Sequence, residues 1–189
     1  MNLYLRLLLV FLKNLKVDRT CPSRAATTSF RVLPHDIDAL GHLNNGGYFQ
    51  IMDVARVDWM LRTGVLAAIR RHRWTPVLGG GVARFRFSLR LFQPYRVLTR
   101  LLSWDDRWFF LEHVFLDRSQ RCVAAGVTRA AMRSAGAWVN AAQVAGAVAP
   151  GLAAPPPPKY LKDWIGFEQA MFSDGAQSAV AAGSPGVQS

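Results

Sequence analysis

Asp36-Ile-Asp-Ala-Leu-Gly-His-Leu-Asn-Asn-Gly-Gly-Tyr48 gathers two carboxylates, an imidazole, two amides and three glycines in one short stretch. Together these groups can attack a carbonyl. Asp38 supplies a general base or a nucleophile, and His42 a second group of the same kind. Asn44 or Asn45 is a natural N-cap for a helix beginning near Gly46. A helix start leaves backbone N–H groups unpaired at the positive end of the macrodipole, so the N–H of Asn45 or Gly46 can hold the oxyanion formed when an acyl group is attacked. Gly41, Asn44 and Tyr48 complete the candidate set as residues that would meet the substrate. Asn44 also suits a cap or a partner that orients Asp38, Tyr48 suits core packing, and Asp36 suits a turn former. The same residue types make a well-capped loop with no chemistry, which is the competing reading.

Positioning this stretch requires an element on each side. Thr28 to Leu33 alternates and is β-branched, so it reads as a strand that ends at Pro34 and delivers the Asp loop to one end of a sheet. From Gly46 to Arg62 apolar residues recur with few polar interruptions, which predicts a helix buried on most sides. Asp53 with Arg56 and Asp58 with Arg62 stand at helical pair spacings and are expected on its remaining solvent face. Thr63-Gly64 stops this helix, and Val65 to Arg71 makes a shorter one.

Four strand-like runs follow, about Pro76 to Phe92, Val97 to Asp105, Trp108 to Asp117 and Cys122 to Met132, and their spacing predicts an antiparallel meander. Gly79-Gly80-Gly81 marks a bulge or a close backbone approach, where the sheet bends or an acyl chain or partner is admitted. Arg84, Arg86 and Arg90 share one face at period two, either solvated or meeting phosphates. Glu112 and His113 fall on opposite faces of their strand and stay outside the catalytic set. Trp138 to Val148 reads as a last helix.

The expected division is an apolar and basic helical segment over 1–24, one domain over 25–150, a proline spacer over 151–158, an amphipathic segment over 159–172 and a disordered tail over 173–189. Residues 2–16 are apolar on most of their circumference with Arg6 and Lys13 on one stripe. This segment lies in a membrane surface, with Arg and Lys at the headgroups, or packs on its own domain or a dimer partner. It is too short and interrupted for a spanning helix and lacks a signal-cleavage pattern.

At 189 residues and 51% hydrophobic, the chain can bury a core without metal or disulfides, and Cys21 and Cys122 form no framework or zinc pattern. A reduced cytoplasmic compartment, with the inner face of a membrane within reach, is the default. The formal charge of +11 comes almost wholly from Arg, with Lys only at 13, 16, 159 and 162. No dense basic run with interleaved aromatics argues for nucleic acid. An anionic substrate suits the charge.

Arg31-Val-Leu-Pro-His-Asp-Ile-Asp-Ala-Leu-Gly-His-Leu-Asn-Asn-Gly-Gly-Tyr-Phe49 resembles the D-x-D-x-x-G-H-x-N-N-x-x-Y signature of hotdog-fold thioesterases of the 4-hydroxybenzoyl-CoA thioesterase type. Ser88-Leu-Arg-Leu-Phe-Gln-Pro-Tyr95 and Leu102-Ser-Trp-Asp-Asp-Arg-Trp-Phe-Phe-Leu-Glu112 look like the thioesterase superfamily member 6-like branch. The likeness runs from about Phe30 to Met132 and returns at Leu161-Lys-Asp-Trp-Ile165. It implies an α+β hotdog fold, a curved antiparallel sheet around a long central helix, with active sites between two subunits and hence at least a homodimer. It implies hydrolysis of an acyl-CoA or acyl-carrier thioester. Asp38 matches the catalytic aspartate and either activates water or attacks the carbonyl itself. Coenzyme A enters only as part of substrate and product, with no other cofactor and no metal. His42 falls where plant acyl-ACP thioesterases of this fold have a functional histidine, but their intervening asparagine is Leu40 here, so an Asp-Asn-His relay is incomplete. The branch also carries an N-terminal hydrophobic anchor, which favours membrane contact through residues 2–16. The rival class is a non-catalytic hotdog protein that binds acyl chains or a partner at a membrane.

Overall fold

A long apolar helix and a set of strands with inward-facing apolar residues can bury one another only by packing the sheet against the helix. The computed structural model, which describes residues 2–14 and 19–171, is built this way. Helix α1 (Asn2–Asn14) comes first, then strand β1 (Ala26–Arg31) and a short 3-10 turn (Pro34–Asp36). Helices α2 (Asn45–Thr63) and α3 (Val65–His72) follow. Four strands come next, β2 (Thr75–Phe85), β3 (Pro94–Trp104), β4 (Phe109–Leu116) and β5 (Cys122–Ser134). Strand β6 (Ala137–Val139) and helix α4 (Ala141–Val148) complete the first unit, which ends at Pro155. A second unit begins at Pro156 and carries helix α5 (Lys159–Ala170) with Pro158 at its N-cap. Residues 15 and 16 of the N-terminal segment, Phe172 and the expected tail at 173–189 lie outside the described residues.

The antiparallel sheet runs in the order β1-β3-β4-β5-β2, with β6 added to β5. The expected meander therefore holds only for β3, β4 and β5. The strand that precedes them in sequence crosses to the far edge, where Val82 pairs with Val127 and Arg84 with Ala125. Helix α2 fills the concave side. Around its first half Ile51, Met52 and Ala55 meet Val97, Phe115 and Val123, and around its second half Trp59 joins Ile69, Leu111, Met132 and Val144. The fit is closest at Gly126, where a Cβ would stand 2.6 Å from Met52 Cε.

Several local expectations are corrected. Strand β2 stops at Phe85 because the N–H groups of both Arg86 and Phe87 turn to Val123 O, so Arg86 and Arg90 lie beyond it and the period-two arginine face does not persist. Trp138 and Val139 belong to a hairpin, not to the last helix. Ala135 and Gly136, at φ 47° and 87°, make the two-residue turn from β5 into β6, and α4 starts only after its Asn140 cap. The triple glycine carries a register shift, as a bulge would, but its immediate cause is a side chain. A Cβ on Gly79 would lie 2.3 Å from the Trp108 ring, so the indole needs bare backbone there.

Asp58 is not on a solvent face. It is 1% exposed and accepts from Thr28 Oγ1 at 2.6 Å, Asn14 Nδ2 at 2.6 Å and Arg62 Nε at 3.0 Å, joining α1, β1 and α2. Arg6 is likewise not at a headgroup level. It is buried on Asp36, while Tyr4, Leu5, Leu8, Leu9 and Leu12 of the same helix are exposed. Helix α1 thus docks by Arg6, Val10 and Asn14, one stripe at helical spacing, and turns Leu5, Leu8, Leu9 and Leu12 outward.

Candidate active site

The loop between β1 and α2 is a miniature hairpin. Ile37 bridges Leu43, Asp38 N donates to His42 O at 2.9 Å, and Gly41 N donates to Asp38 O at 3.0 Å. Gly41 sits at φ 75°, in the left-handed region that closing this turn requires, although a Cβ there would touch nothing. Gly41 thus shapes the turn, and that is the role its geometry gives it. The loop is pinned from outside by Leu43 N to Leu89 O at 2.8 Å and Asn44 N to Asp36 O at 2.8 Å.

Within this frame the half-buried Asp38 carboxylate has two differently employed oxygens. Oδ1 accepts the N–H groups of Leu40 at 2.9 Å and His42 at 3.2 Å, which fixes the side chain over the turn. No donor among the described residues reaches Oδ2. That oxygen is available to a water or an electrophile. The His42 ring makes no hydrogen bond to Asp38 or to any described residue; only its backbone joins the loop, through Asp38 and a bridge to Arg90.

At the start of α2, Asn44 is the cap. Its side chain accepts Gly46 N at 2.8 Å and its carbonyl accepts Gly47 N at 2.9 Å. Of the two donors expected from the sequence, Gly46 is therefore engaged by the cap. The Asn45 N–H has no acceptor among the described residues, and Asn45 is exposed. It is the donor left for an oxyanion. Tyr48 is corrected from substrate contact to core: it is 2% exposed, its ring centroid lies 4.8 Å from that of Phe85 and 5.1 Å from that of Phe115, and burial pushes its phenol pKa up.

Asp36, expected to steady the turn, does so through a partner that sequence reasoning missed. Its Oδ2 accepts Leu33 N at 2.8 Å and Arg6 Nη2 at 2.5 Å, and Arg6 also donates to Arg31 O at 3.2 Å. The signal was present: Arg6, Val10 and Asn14 share one stripe of an otherwise apolar helix. Also missed is a polar chain across the sheet interior. His113, wholly buried, lies 3.1 Å from both Thr99 Oγ1 and Thr128 Oγ1, and Arg56 Nη1 donates to Thr128 Oγ1 at 3.3 Å while bonding Asp53. Burial, and secondarily the Arg56 charge, hold His113 neutral by pushing its pKa down to about 3. Among the described residues no group of His, Cys, Asp or Glu side chains is placed to hold a metal ion.

Comparison with known proteins fits this arrangement. A model of the thioesterase-like superfamily matches residues 32–165, from just after β1 into the last helix. The chain belongs to that superfamily. Protein THEM6 of Xenopus laevis is 41% identical over 85 residues, 45% of this chain and 41% of that protein. Among solved structures, the probable thioesterase YbaW of Escherichia coli superposes with a TM-score of 0.61 at 15% identity, over 66% of this chain and 96% of that one. The 1,4-dihydroxy-2-naphthoyl-CoA thioesterase Slr0204 of Synechocystis superposes with a TM-score of 0.58 at 14% identity, over 66% and 96%. These likenesses show the hotdog fold, α+β as expected. The chain spans less than half the length of the curated relatives it matches.

Proposed function

We propose that this member of the thioesterase-like superfamily hydrolyses an acyl thioester, carried on coenzyme A or a carrier protein, to the free acid and thiol. The observation that carries the reading is the pairing of a tethered carboxylate with an unengaged oxygen, Asp38, and an unengaged helix-terminal N–H, Asn45. Asp38 Oδ2 takes a proton from water as it attacks the thioester carbon, or attacks that carbon itself. The carbonyl oxygen becomes an oxyanion beside Asn45 N–H, where the start of α2 stabilises it. Collapse breaks the C–S bond; by the first route the thiolate takes up the proton held on Asp38, and by the second it takes one from the water that cleaves the anhydride. By the second route water then cleaves the acyl-Asp38 anhydride. His42 stands as a secondary contributor through the loop it closes.

Asp38 lines none of the cavities described in this chain. A second copy supplies the missing wall. Strand β2 is paired on one side only and exposes Leu78, Val82 and Phe85, an edge suited to continuing the sheet into another protomer as a homodimer. No helix among the described residues is long and apolar enough to cross a membrane. The outward leucine stripe of α1 supports peripheral contact with a cytoplasmic membrane face. The same stripe, together with the fact that Asp38 lines none of the three cavities described, favours the second reading, a membrane-associated hotdog protein that binds acyl chains or a protein partner without turnover.

Free-thiol release from short, long and aromatic acyl-CoAs separates the two. Release by the wild type that falls by a factor of about 100 or more in a folded Asp38→Asn variant supports hydrolysis. Binding of acyl-CoA by both proteins with no release by either refutes it.

A further inference from the structure

We propose that the cavity beneath the second half of α2 binds one linear aliphatic carboxylic acid of about ten carbons, with Arg56 holding its carboxylate. The cavity measures about 320 Å³ and lies between α2, the inner sheet face and α4. Its walls are side chains such as Val57, Met60, Leu101, Leu111 and Val144, and Asp53 and Arg56 are the only charged residues that line it. Protein interiors normally close up voids larger than a water molecule, and an apolar cavity of this size takes apolar ligands in preference to water. A cavity of about 150 Å³ takes the six carbons of benzene, so a space about twice that size matches a chain of about ten carbons.

Shape and charge select the ligand further. Asp53 and Met60 stand two turns apart on α2, about 10 Å along its axis, so the space is drawn out along the helix. A chain follows such a space; a single aromatic ring leaves most of it empty. At the charged end, Arg56 is mostly buried (14%) and its fork is shared between Asp53 and Thr128 Oγ1, while Asp53 is half exposed (49%). Asp53 can move into water and yield the guanidinium to an incoming carboxylate or carbonyl oxygen. Trp59 lines the same cavity, and its indole N–H is buried without a partner among the described residues. It is a second donor for a ligand oxygen.

That the acid is the one released from a thioester rests on the hydrolytic reading above; that the cavity takes an aliphatic chain does not. The test is calorimetric titration of the full-length protein with straight-chain carboxylates from hexanoate to hexadecanoate, below their micelle concentrations, and with decanol. Affinity should rise about fourfold per methylene up to about ten carbons and then level. Arg56→Met should weaken decanoate at least tenfold and leave decanol unchanged. Ala145→Phe, which fills the cavity from α4, should abolish both. A flat chain-length series in the wild type overturns the proposal without any variant. So does a folded Ala145→Phe protein that binds decanoate normally. Binding with the stated chain-length dependence but no turnover of decanoyl-CoA keeps the cavity and removes the hydrolytic reading. Equal turnover of benzoyl- and decanoyl-CoA with no decanoate binding does the reverse.

Discussion

Replacing Arg6 by Met tests how the first helix holds the candidate site. The Arg6 and Asp36 side chains are 9% and 5% exposed and lie 2.5 Å apart. Methionine keeps the aliphatic stem but removes the guanidinium from a buried carboxylate that Leu33 N–H still meets at 2.8 Å and that lies 3.5 Å from His35 Nε2. Breaking a buried pair from one side costs about 3–5 kcal/mol. In a chain of this size each kcal/mol moves the melting temperature about 2–4 °C, so Arg6→Met should melt roughly 6–20 °C below the wild type. Adding Asp36→Leu removes the buried charge that has lost its guanidinium and should recover most of that loss, short of about 1 kcal/mol for the Leu33 hydrogen bond. Because Asp36 O also receives Asn44 N, the single variant should lose thioester hydrolysis together with stability, and the double variant should regain part of it. Urea denaturation and thiol release on the three proteins give both numbers. A cost below about 1 kcal/mol for Arg6→Met would mean that the pair behaves like a solvated surface pair, and the account of how α1 is docked would be wrong.

Further outcomes follow from single contacts. Asn44→Ala should cost about 1 kcal/mol by loss of the cap and free Gly46 N–H, so stability falls in urea while hydrolysis falls less than in Asp38→Asn. Gly79→Ala should cost about 1–3 kcal/mol through the clash with Trp108, and Trp108→Ala in the same chain should cancel that increment in a double-mutant cycle. His113 has a folded pKa of about 3 against an ordinary 6.5, so below pH 6.5 the unfolded chain takes a proton that the native one refuses. Its contribution is complete above pH 6.5 and is lost toward pH 3 at about 1.4 kcal/mol per unit, a slope that urea titrations from pH 7 to 4 should find reduced by that amount in His113→Gln.

What the sequence made legible was whatever local chemistry decides. The run of apolar positions from Tyr48 to Leu61 specifies a helix buried on most sides, and Asn44 with Gly64 bounds it as cap and left-handed stop. The Asp loop could be read because Gly41 and Asn44 each do one local job. What could not be read depends on partners distant in sequence. Nothing local tells that Asp58 will meet Thr28 and Asn14, that β2 will cross to the far side of β5, or that three glycines make room for Trp108. The Ala135-Gly136 hairpin escaped for another reason: alanine at φ 47° is not the asparagine that usually signals such a turn.

Helix α2 joins the two halves of the functional reading. Its first residue carries the N–H proposed to meet the oxyanion, and from Asp53 to Met60 it forms one wall of the apolar cavity. The distance from Asn45 to Asp53 along the axis is about 12 Å, too far for one acyl carbonyl to touch Asn45 and Arg56 at once. If both readings hold, Arg56 meets the released acid or a chain entering from a neighbouring protomer, while Asn45 meets the thioester under attack. Arg56→Met should then speed product release and weaken product inhibition by decanoate while leaving the first turnover intact. Asp38→Asn should abolish that first turnover and leave decanoate inhibition constants unchanged. A rapid-quench comparison of the first and later turnovers distinguishes these roles, and an equal loss of both phases in Arg56→Met would place Arg56 at the reacting carbonyl instead.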